Sequence, residues 1–516
     1  MKNRLPLGLQ NFDDLRRKKK VYVDKTAFIA ELISDYKIVF LSRPRRFGKS
    51  LLLSTIKELF SGNRDSFEGL YIRDRVNVEK LPVILLDFSL IANSDADTFK
   101  KSIIIYLQEI AREYSVAIDT DVPQMAIFLL VNRIHAVTGK KTVILIDEYD
   151  KPIVDHITNP AKASENREIL QGFFGAIKGL DQFIEFLFIT GVSKFSKVSL
   201  FSGFNQLTDI SYDPRFNDIC GYTQEELQSS FTPELDKLNS VFDVPREKLM
   251  EQIKYWYNGY SWDGKSTVYN PVSILNLFRI NEFQNYWFAT GTPTFLLKKI
   301  KEDSVFIPEL EALTIDSIGL ESFDIENISL RNLLLQTGYL TVKGKTSGFS
   351  GVTYTLGYPN YEVKDAFYSF IYGYLTERKV DEVNSIAARM KKSLIQQNLD
   401  LFLSDLKYLF AQIPSILYIS EEKYFHSLFI TIAFLIGLKV ESEVSTNIGR
   451  IDTVLELEDK YYLLEFKYGK SAQSGIDQIK DKRYAEKYLR SGKQIIFVSL
   501  AFTRHEITMQ TENFRE

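Results

Sequence analysis

Apolar and polar positions follow two different rhythms along this chain. In the first 235 residues, short continuous apolar runs stand apart from one another: IVFL at 38–41, VILLD at 83–87, VILID at 143–147 and FLFIT at 186–190. Between them lie stretches of helical period, such as Ser50 to Phe60. Continuous apolar runs separated by helices predict strands buried on both faces, in a parallel sheet covered by helices. From 236 to 375 the pattern is mainly helical and rich in aromatics (YWYNGYSW, NYWFATG), with a glycine-rich, hairpin-like piece at 338–352. Residues 376–412 are helical again. A helix over 421–437, an alternating hairpin over about 452–467, a helix near 473–490 and a strand at 494–500 then predict a small α/β unit of order α-β-β-α-β. The expected organisation is an α/β chain: a parallel-sheet domain (1–235), a mainly helical connecting region (236–375) and a small α/β domain (376–516).

Composition agrees with this division and narrows the chemistry. A length of 516 residues exceeds one ordinary core, and 45% hydrophobic with 25% charged residues is globular. The formal net charge of -3 means that any nucleic-acid surface must be a local patch. The single cysteine, Cys220, excludes an intramolecular disulfide and a cysteine zinc site. His135, His156, His426 and His505 have no metal spacing. The N-terminus lacks an apolar signal core, and the most apolar run, Leu428 to Leu438, is too short to span a bilayer. A cytoplasmic protein without membrane association is expected. The basic run Arg16–Lys20 is expected to be a solvated turn before a strand at 21–23.

The segment LSRPRRFGKSLLL sits between a strand and a helix. A phosphate-binding loop needs backbone N–H groups facing the anion, a lysine for the β and γ oxygens, and a hydroxyl for Mg²⁺. Gly48, Lys49 and Ser50 supply the second half of GxxxxGK[ST], flanked by Arg46, Phe47 and Leu51 as further nucleotide-contacting positions. Arg43 stands where the first glycine belongs, so the strict pattern fails there. An isolated GKS is a weak signal; a second motif, VILIDEYD, strengthens it. There a buried strand delivers Asp147, a candidate to hold Mg²⁺, and Glu148, a candidate to polarise the attacking water. Thr190, at the end of FLFIT, is a candidate sensor of the γ-phosphate. Lys194, Lys197 and Arg215 are candidates for a charge-stabilising finger.

Near the C-terminus stands GRIDTVLELEDKYYLLEFKYG. With a two-residue loop at Asp459-Lys460, Asp452 lies opposite Lys467, and Asp452, Glu465 and Lys467 share one face while Leu455, Leu457, Leu464 and Phe466 share the other. Two carboxylates bind hard cations through oxygen, and a lysine can position water or offset transition-state charge. That set suits Mg²⁺-assisted phosphodiester hydrolysis. Glu422, on the preceding helix, could add a metal ligand. Gln478 and Tyr484 lie on a helical stretch with Lys480, Lys482, Arg483 and Lys487 that could hold a DNA backbone.

These residues also carry a resemblance. VYVDKTAFIAEL, FLSRPRRFGKSLLL, VILIDEYDKPI, FLFITGVSKFSKVSLFSGFNQLTDIS and CGYTQEEL together resemble the bacterial AAA-ATPase-like family, in which the RPRRFGKS loop is itself typical. The stretch from EEKYFHSLF through GRID, EFK and DQIKDKRY resembles the PD-(D/E)XK nuclease superfamily, a restriction-endonuclease-like fold. The resemblance implies a P-loop NTPase domain with Lys49, Ser50, Asp147 and Glu148 at its nucleotide site. It implies a nuclease core of Asp452, Glu465 and Lys467, with Glu422 as its helix carboxylate and Gln478 with Tyr484 as its trailing Q…Y helix. The implied cofactors are ATP and Mg²⁺; the implied partner is nucleic acid, DNA favoured over RNA, and a homo-oligomer stays open. Roles in DNA processing or defence against mobile elements follow only by analogy of architecture.

The leading expectation is an ATP-regulated nuclease. The alternative is a nucleotide-dependent switch whose nuclease-like domain binds nucleic acid or a partner without cutting, which the near-neutral charge favours. A sugar or nucleoside kinase using the same loop would leave the C-terminal acids unexplained.

Overall fold

Each apolar run of the N-terminal region forms a strand. In the computed structural model, β1 (Ile38–Ser42), β2 (Val83–Asp87), β3 (Thr142–Asp147) and β4 (Ile184–Gly191) coincide with the four runs, and a short β5 (Leu207–Asp209) joins them. The described residues are 4–194, 200–201, 204, 207–287, 310, 313–321, 329–349, 351–376, 380–411, 421–503 and 506–514. The strand order is β2-β3-β4-β1-β5, and every pair is parallel. β1 and β3 are buried at every residue, which is why their sequences show no alternation. Helices Lys49–Phe60, Ala96–Glu113, Pro123–Thr138 and Pro160–Lys178 make the crossovers. Their ends are set locally: Asp95 accepts from the Thr98 N–H, Asn159 from the Lys162 N–H, and a left-handed Gly139 stops the third helix. Because β4 and β5 flank β1, the connections part on its two sides. A crevice at the carboxyl ends of the strands follows, the usual ligand position in open α/β sheets.

The chain divides into two compact units, Met1–Ala289 with Leu313–Glu362, and Thr290–Ala312 with Val363–Glu516. Beyond the parallel sheet, the first unit holds helices Gln224–Ser230, Thr232–Phe242, Arg246–Tyr257 and Pro271–Ile280. It also holds the two-stranded pair β6 (Asn258–Tyr260) and β7 (Val268–Tyr269), and an antiparallel sheet of β8 (Leu313–Asp316), β9 (Thr341–Gly348) and β10 (Gly351–Gly357) in the order β8-β10-β9. Leu5 and Val23 pack into one apolar cluster with Leu235, Ile253, Tyr257 and Leu277, so the N-terminal segment is sewn to these helices. The strand expected at 21–23 does not form. Val21 donates one backbone bond to Arg4, and Val23 serves as a core anchor instead. In the basic run, Arg17 and Lys18 pair with Asp13 and Asp14 at the end of helix Phe12–Arg17.

The second unit carries a five-stranded sheet in sequence order: β11 (Lys439–Ser445), β12 (Arg450–Glu456), β13 (Lys460–Tyr468), β14 (Gln494–Phe502) and β15 (Ile507–Asn513). Only β13 and β14 run parallel, and helix Ala472–Asp481 makes their crossover. On one face Val454 and Leu463 cluster with Ile476 and Ile479 of that helix. On the other face, His426 and Phe429 of helix Glu422–Leu435 pack their rings on Phe466 at 4.6 and 5.1 Å. Each fully buried aliphatic side chain contributes about 1.5–3 kcal/mol, so both helices are fixed by packing rather than by propensity. The α-β-β-α-β expectation gains two strands, β11 and β15. The helix expected at 473–490 stops at Asp481, because Arg483 turns left-handed (φ 47°) and the chain continues as 3₁₀ turns. Among the described residues no helix is long and apolar enough to cross a membrane; the apolar run Leu428 to Leu438 is mostly a core helix. Lys197 and His505 lie outside the described residues.

Candidate active sites

β1 ends at Ser42 and helix Lys49–Phe60 begins at a left-handed Gly48 (φ 96°). Arg46 is left-handed too (φ 71°), so the chain turns sharply as it enters the helix N-terminus, an end whose backbone N–H groups suit an anion. Arg43, the residue in place of the first glycine, points inward. Its guanidinium is fully buried, donates to the carbonyls of Ser42, Ser211 and Phe216 at 3.0, 2.8 and 3.0 Å, and lies 3.8 Å over the Trp262 ring. The loop is thus braced by a buried cation rather than by small residues. Phe47, expected at the nucleotide, packs its ring edge-on to Tyr260 and Trp262 at 4.7 and 5.5 Å. Lys49 is buried, and its ammonium donates to the carbonyls of Arg43 and Pro44 at 2.9 and 3.2 Å. Ser50 and Leu51 follow in the first turn, both half-buried.

Asp147 ends β3 and is buried; it accepts from the Thr190 hydroxyl at 2.6 Å and from the Glu148 N–H at 3.0 Å. Thr190, read as a phosphate sensor, is itself fully buried and orients Asp147. Glu148 takes a left-handed backbone (φ 49°), and burial raises its carboxyl pKa, with Lys49 opposing the rise. A left-handed backbone is uncommon for a residue other than glycine and is one place where strain is stored. Sequence reasoning missed Asp150, three residues past Asp147. It is buried and accepts from the Val192 and Ser193 N–H groups and the Ser193 hydroxyl, which ties the loop after β3 to the loop after β4. Of the finger candidates, Lys194 is buried in an ion pair with Asp209 at 2.7 Å, and Arg215 pairs with Asp213 at 2.6 Å on the surface.

A cavity of about 720 Å³ opens over the loop. Its walls run from Lys49 and Glu148 past Leu7, Tyr222, Leu275 and Asn276. The volume suits a nucleotide-sized ligand, polar at the phosphate end and apolar beyond it. A more open depression of about 930 Å³ lies at the other ends of the strands. Lys140 and Lys141 line it, already paired with Glu79 and Glu185 at 3.0 and 3.4 Å.

Arg46 connects the loop to a second buried acid. Its guanidinium donates to the carbonyls of Tyr286 and Trp287, whose N–H groups donate to Glu362 at 2.6 and 2.8 Å. Ser273 donates to the same carboxylate. Burial lifts Glu362 to about 7, against about 4.3 in an unfolded chain. Between those values the folded state holds the proton that the unfolded state has released, so stability falls as pH rises. The loss should be on the order of 3 kcal/mol by pH 7 and above. Glu362→Gln keeps the acceptor and removes the titration. All three tryptophans, Trp256, Trp262 and Trp287, belong to this unit, so their fluorescence in urea should show that the fall from pH 4.5 to pH 8 is smaller in the variant. An unchanged fall would acquit Glu362.

In the second unit, the β12–β13 ladder is regular from Glu456↔Tyr461 to Thr453↔Leu464. The hairpin loop is Glu458-Asp459, with Leu457 donating to Lys460 at 2.9 Å. The register is therefore shifted by two residues from the one expected: Asp452 falls opposite Glu465, not Lys467. An even shift preserves the faces, so Asp452, Glu465 and Lys467 still share one side. Beyond Thr453 the ladder opens, and the Asp452 carboxylate takes the Phe466 N–H at 2.8 Å in place of a backbone carbonyl. Lys467, buried, donates to Glu465 Oε2 at 3.1 Å and to the Phe466 carbonyl at 2.7 Å. Burial raises both carboxyl pKa values. The two acids perturb one another and titrate as a pair, and Lys467 opposes the rise in both.

Glu422 is half-buried at the start of its helix and accepts from the Tyr468 N–H at 3.2 Å, near enough to Asp452 to raise its pKa. Among the described residues no three His, Cys, Asp or Glu side chains converge as a ready metal cluster. The fit to a divalent cation rests on the pair itself: Glu465 Oε1 is buried without a hydrogen-bond partner among the described residues, and a hard cation would take that oxygen. Solvent oxygens would complete its shell. Tyr484 is buried, and its hydroxyl donates to the Arg450 carbonyl at 2.7 Å, close to Gln478. The structure thus sets Tyr484 as a brace for the strand that carries Asp452. His426 is buried; Thr453 Oγ1 lies 2.7 Å from its Nε2, and burial holds its pKa near 3, so it stays neutral.

Comparison with known proteins agrees with this geometry at both ends. A family model described as "Predicted AAA-ATPase" matches residues 6–201, and one described as "PD-(D/E)XK nuclease superfamily" matches residues 420–512. A relative from Azotobacter chroococcum mcd 1, described as an "Uncharacterized protein in vnfD 5'region", is 37% identical over 513 residues, covering 98% of this chain and 97% of the relative.

Proposed function

Since this chain belongs to the AAA-ATPase-like family and carries a PD-(D/E)XK nuclease superfamily domain at residues 420–512, we propose that it binds ATP at the Lys49 loop and hydrolyses phosphodiester bonds at Asp452, Glu465 and Lys467. The reading is carried by the buried Asp452–Glu465 pair with Lys467 at 3.1 Å, an arrangement too costly to keep for packing alone.

At the N-terminal site, the loop N–H groups and Lys49 hold the phosphates, and Ser50 and Asp147 hold Mg²⁺. Glu148 orients the attacking water, and Thr190 acts through Asp147. At the C-terminal site, Asp452 and Glu465 hold a divalent cation. When bound, that ion supplies Lewis-acid activation of a water and neutralises phosphate charge. Lys467 donates to the charge developing on the phosphate. Tyr484 and Gln478 steady the strand beneath. Nucleic acid is the substrate class, with DNA favoured, and nucleotide occupancy regulates cutting.

The test is the purified full chain with end-labelled single- and double-stranded DNA and RNA, in Mg²⁺, Mn²⁺ or chelator, with and without ATP. Cleavage that needs the divalent ion and changes with ATP is expected. A tight nucleic-acid complex that stays uncut in both metals would sink the hydrolytic reading and leave the binding-module alternative.

A further inference from the structure

We propose that Ser499, on β14, is a further protein group of the C-terminal cation site and holds a cation-bound water against Glu465; this rests on reading Asp452 and Glu465 as the cation's ligands. β13 and β14 run parallel with Glu465 paired to Ser499, so the two side chains leave the same face of the sheet side by side. Both residues are 0% exposed. Each carries a buried oxygen without a hydrogen-bond partner among the described residues, Glu465 Oε1 and Ser499 Oγ. The other residues of β14 on that face are apolar at the nearest positions, Phe497 and Ala501, so the hydroxyl stands alone in an apolar row beside the acid pair.

The helix above packs closely on Ser499 and Glu465. A Cβ on Gly475 would stand 2.2 Å from Ser499 Oγ and 3.2 Å from Glu465 Cβ. Gly475 lies in helix Ala472–Asp481, and only a residue without a side chain permits this close approach. A buried hydroxyl with no partner lowers stability, and alanine would fill the same place without that penalty. A serine there makes physical sense if something else completes its bonding. Mg²⁺ and Mn²⁺ keep several waters when bound by few carboxylates. A neutral hydroxyl can accept from such a water without adding repulsion to two acids, and groups that hold a metal's outer partners strongly affect affinity.

The experiment uses the full chain stripped of metal and free of nucleotide. Mn²⁺ is titrated into the wild type, Ser499→Ala and Asp452→Asn, with free Mn²⁺ read by electron paramagnetic resonance. Thermal unfolding of each is then recorded in chelator. Ser499→Ala should bind Mn²⁺ about tenfold more weakly, while in chelator it unfolds at the same temperature as wild type or higher, since no hydrogen bond has been removed. Asp452→Asn should lose the site. Wild-type affinity in Ser499→Ala, with the site lost in Asp452→Asn, would overturn the role of Ser499 and leave the cation site standing. A lower unfolding temperature in chelator would also overturn it, by showing the hydroxyl to be structural. Absence of Mn²⁺ binding in the wild type would remove the cation site and Ser499 together.

Discussion

Asp452→Asn is expected to lower divalent-dependent cleavage by about 10³-fold or more, while the fold stays intact. Asparagine keeps the oxygen that accepts from the Phe466 N–H, so the opening of the β12–β13 ladder should survive. What is lost is a negative oxygen on the cation and with it part of the charge stabilisation at the phosphate. That stabilisation is several kcal/mol, and about 4 kcal/mol corresponds to about a thousandfold in rate. Asp452 is also a like charge beside Glu465, and burial raises both. Replacing it removes that repulsion, so the unfolding midpoint in chelator should be equal to or above that of wild type. Initial cleavage rates at saturating Mg²⁺ and an unfolding curve decide the matter. Retained cleavage at a near-wild-type rate would remove Asp452 from the reaction.

Lys49→Ala should weaken ATP by about 10²- to 10³-fold. The lysine is buried, and its ammonium donates to the loop carbonyls of Arg43 and Pro44. Those are neutral partners that a phosphate oxygen can displace. Each charge-assisted bond to phosphate is worth about 1.5–3 kcal/mol, and two such bonds near the lower end of that range, about 3–4 kcal/mol together, account for the expected loss. Arg43 cannot substitute, because its guanidinium is committed to Ser42, Ser211 and Phe216. Equilibrium titration with a fluorescent ATP analogue measures the effect. An affinity unchanged from wild type would place the triphosphate elsewhere than this loop.

Much of this could be read along the chain because it depends on local periodicity. The apolar runs at 38–41, 83–87, 143–147 and 186–190 are strands since a parallel strand buried on both faces can tolerate few polar residues. The hairpin face shared by Asp452, Glu465 and Lys467 was legible for a related reason: side chains alternate with period two, so even a register shifted by two residues keeps them together. The strand expected at 21–23 failed because an apolar triplet there anchors a helical cluster instead, and periodicity cannot tell what an apolar residue will pack against.

The amino-acid sequence alone determined that the four N-terminal apolar runs become strands, that Asp452, Glu465 and Lys467 share one face of a hairpin, and which acids and lysines stand at the ends of those elements. Only tertiary structure decided what each of those groups faces. It turned Arg43 inward onto Trp262, made Thr190 a partner of Asp147, sank Tyr484 beneath the strand of Asp452, and set Ser499 beside Glu465 under Gly475. The physical reason is that periodicity acts between neighbours in the chain, whereas burial, desolvation and hydrogen-bond partnership arise between residues tens or hundreds of positions apart. No local pattern encodes those meetings.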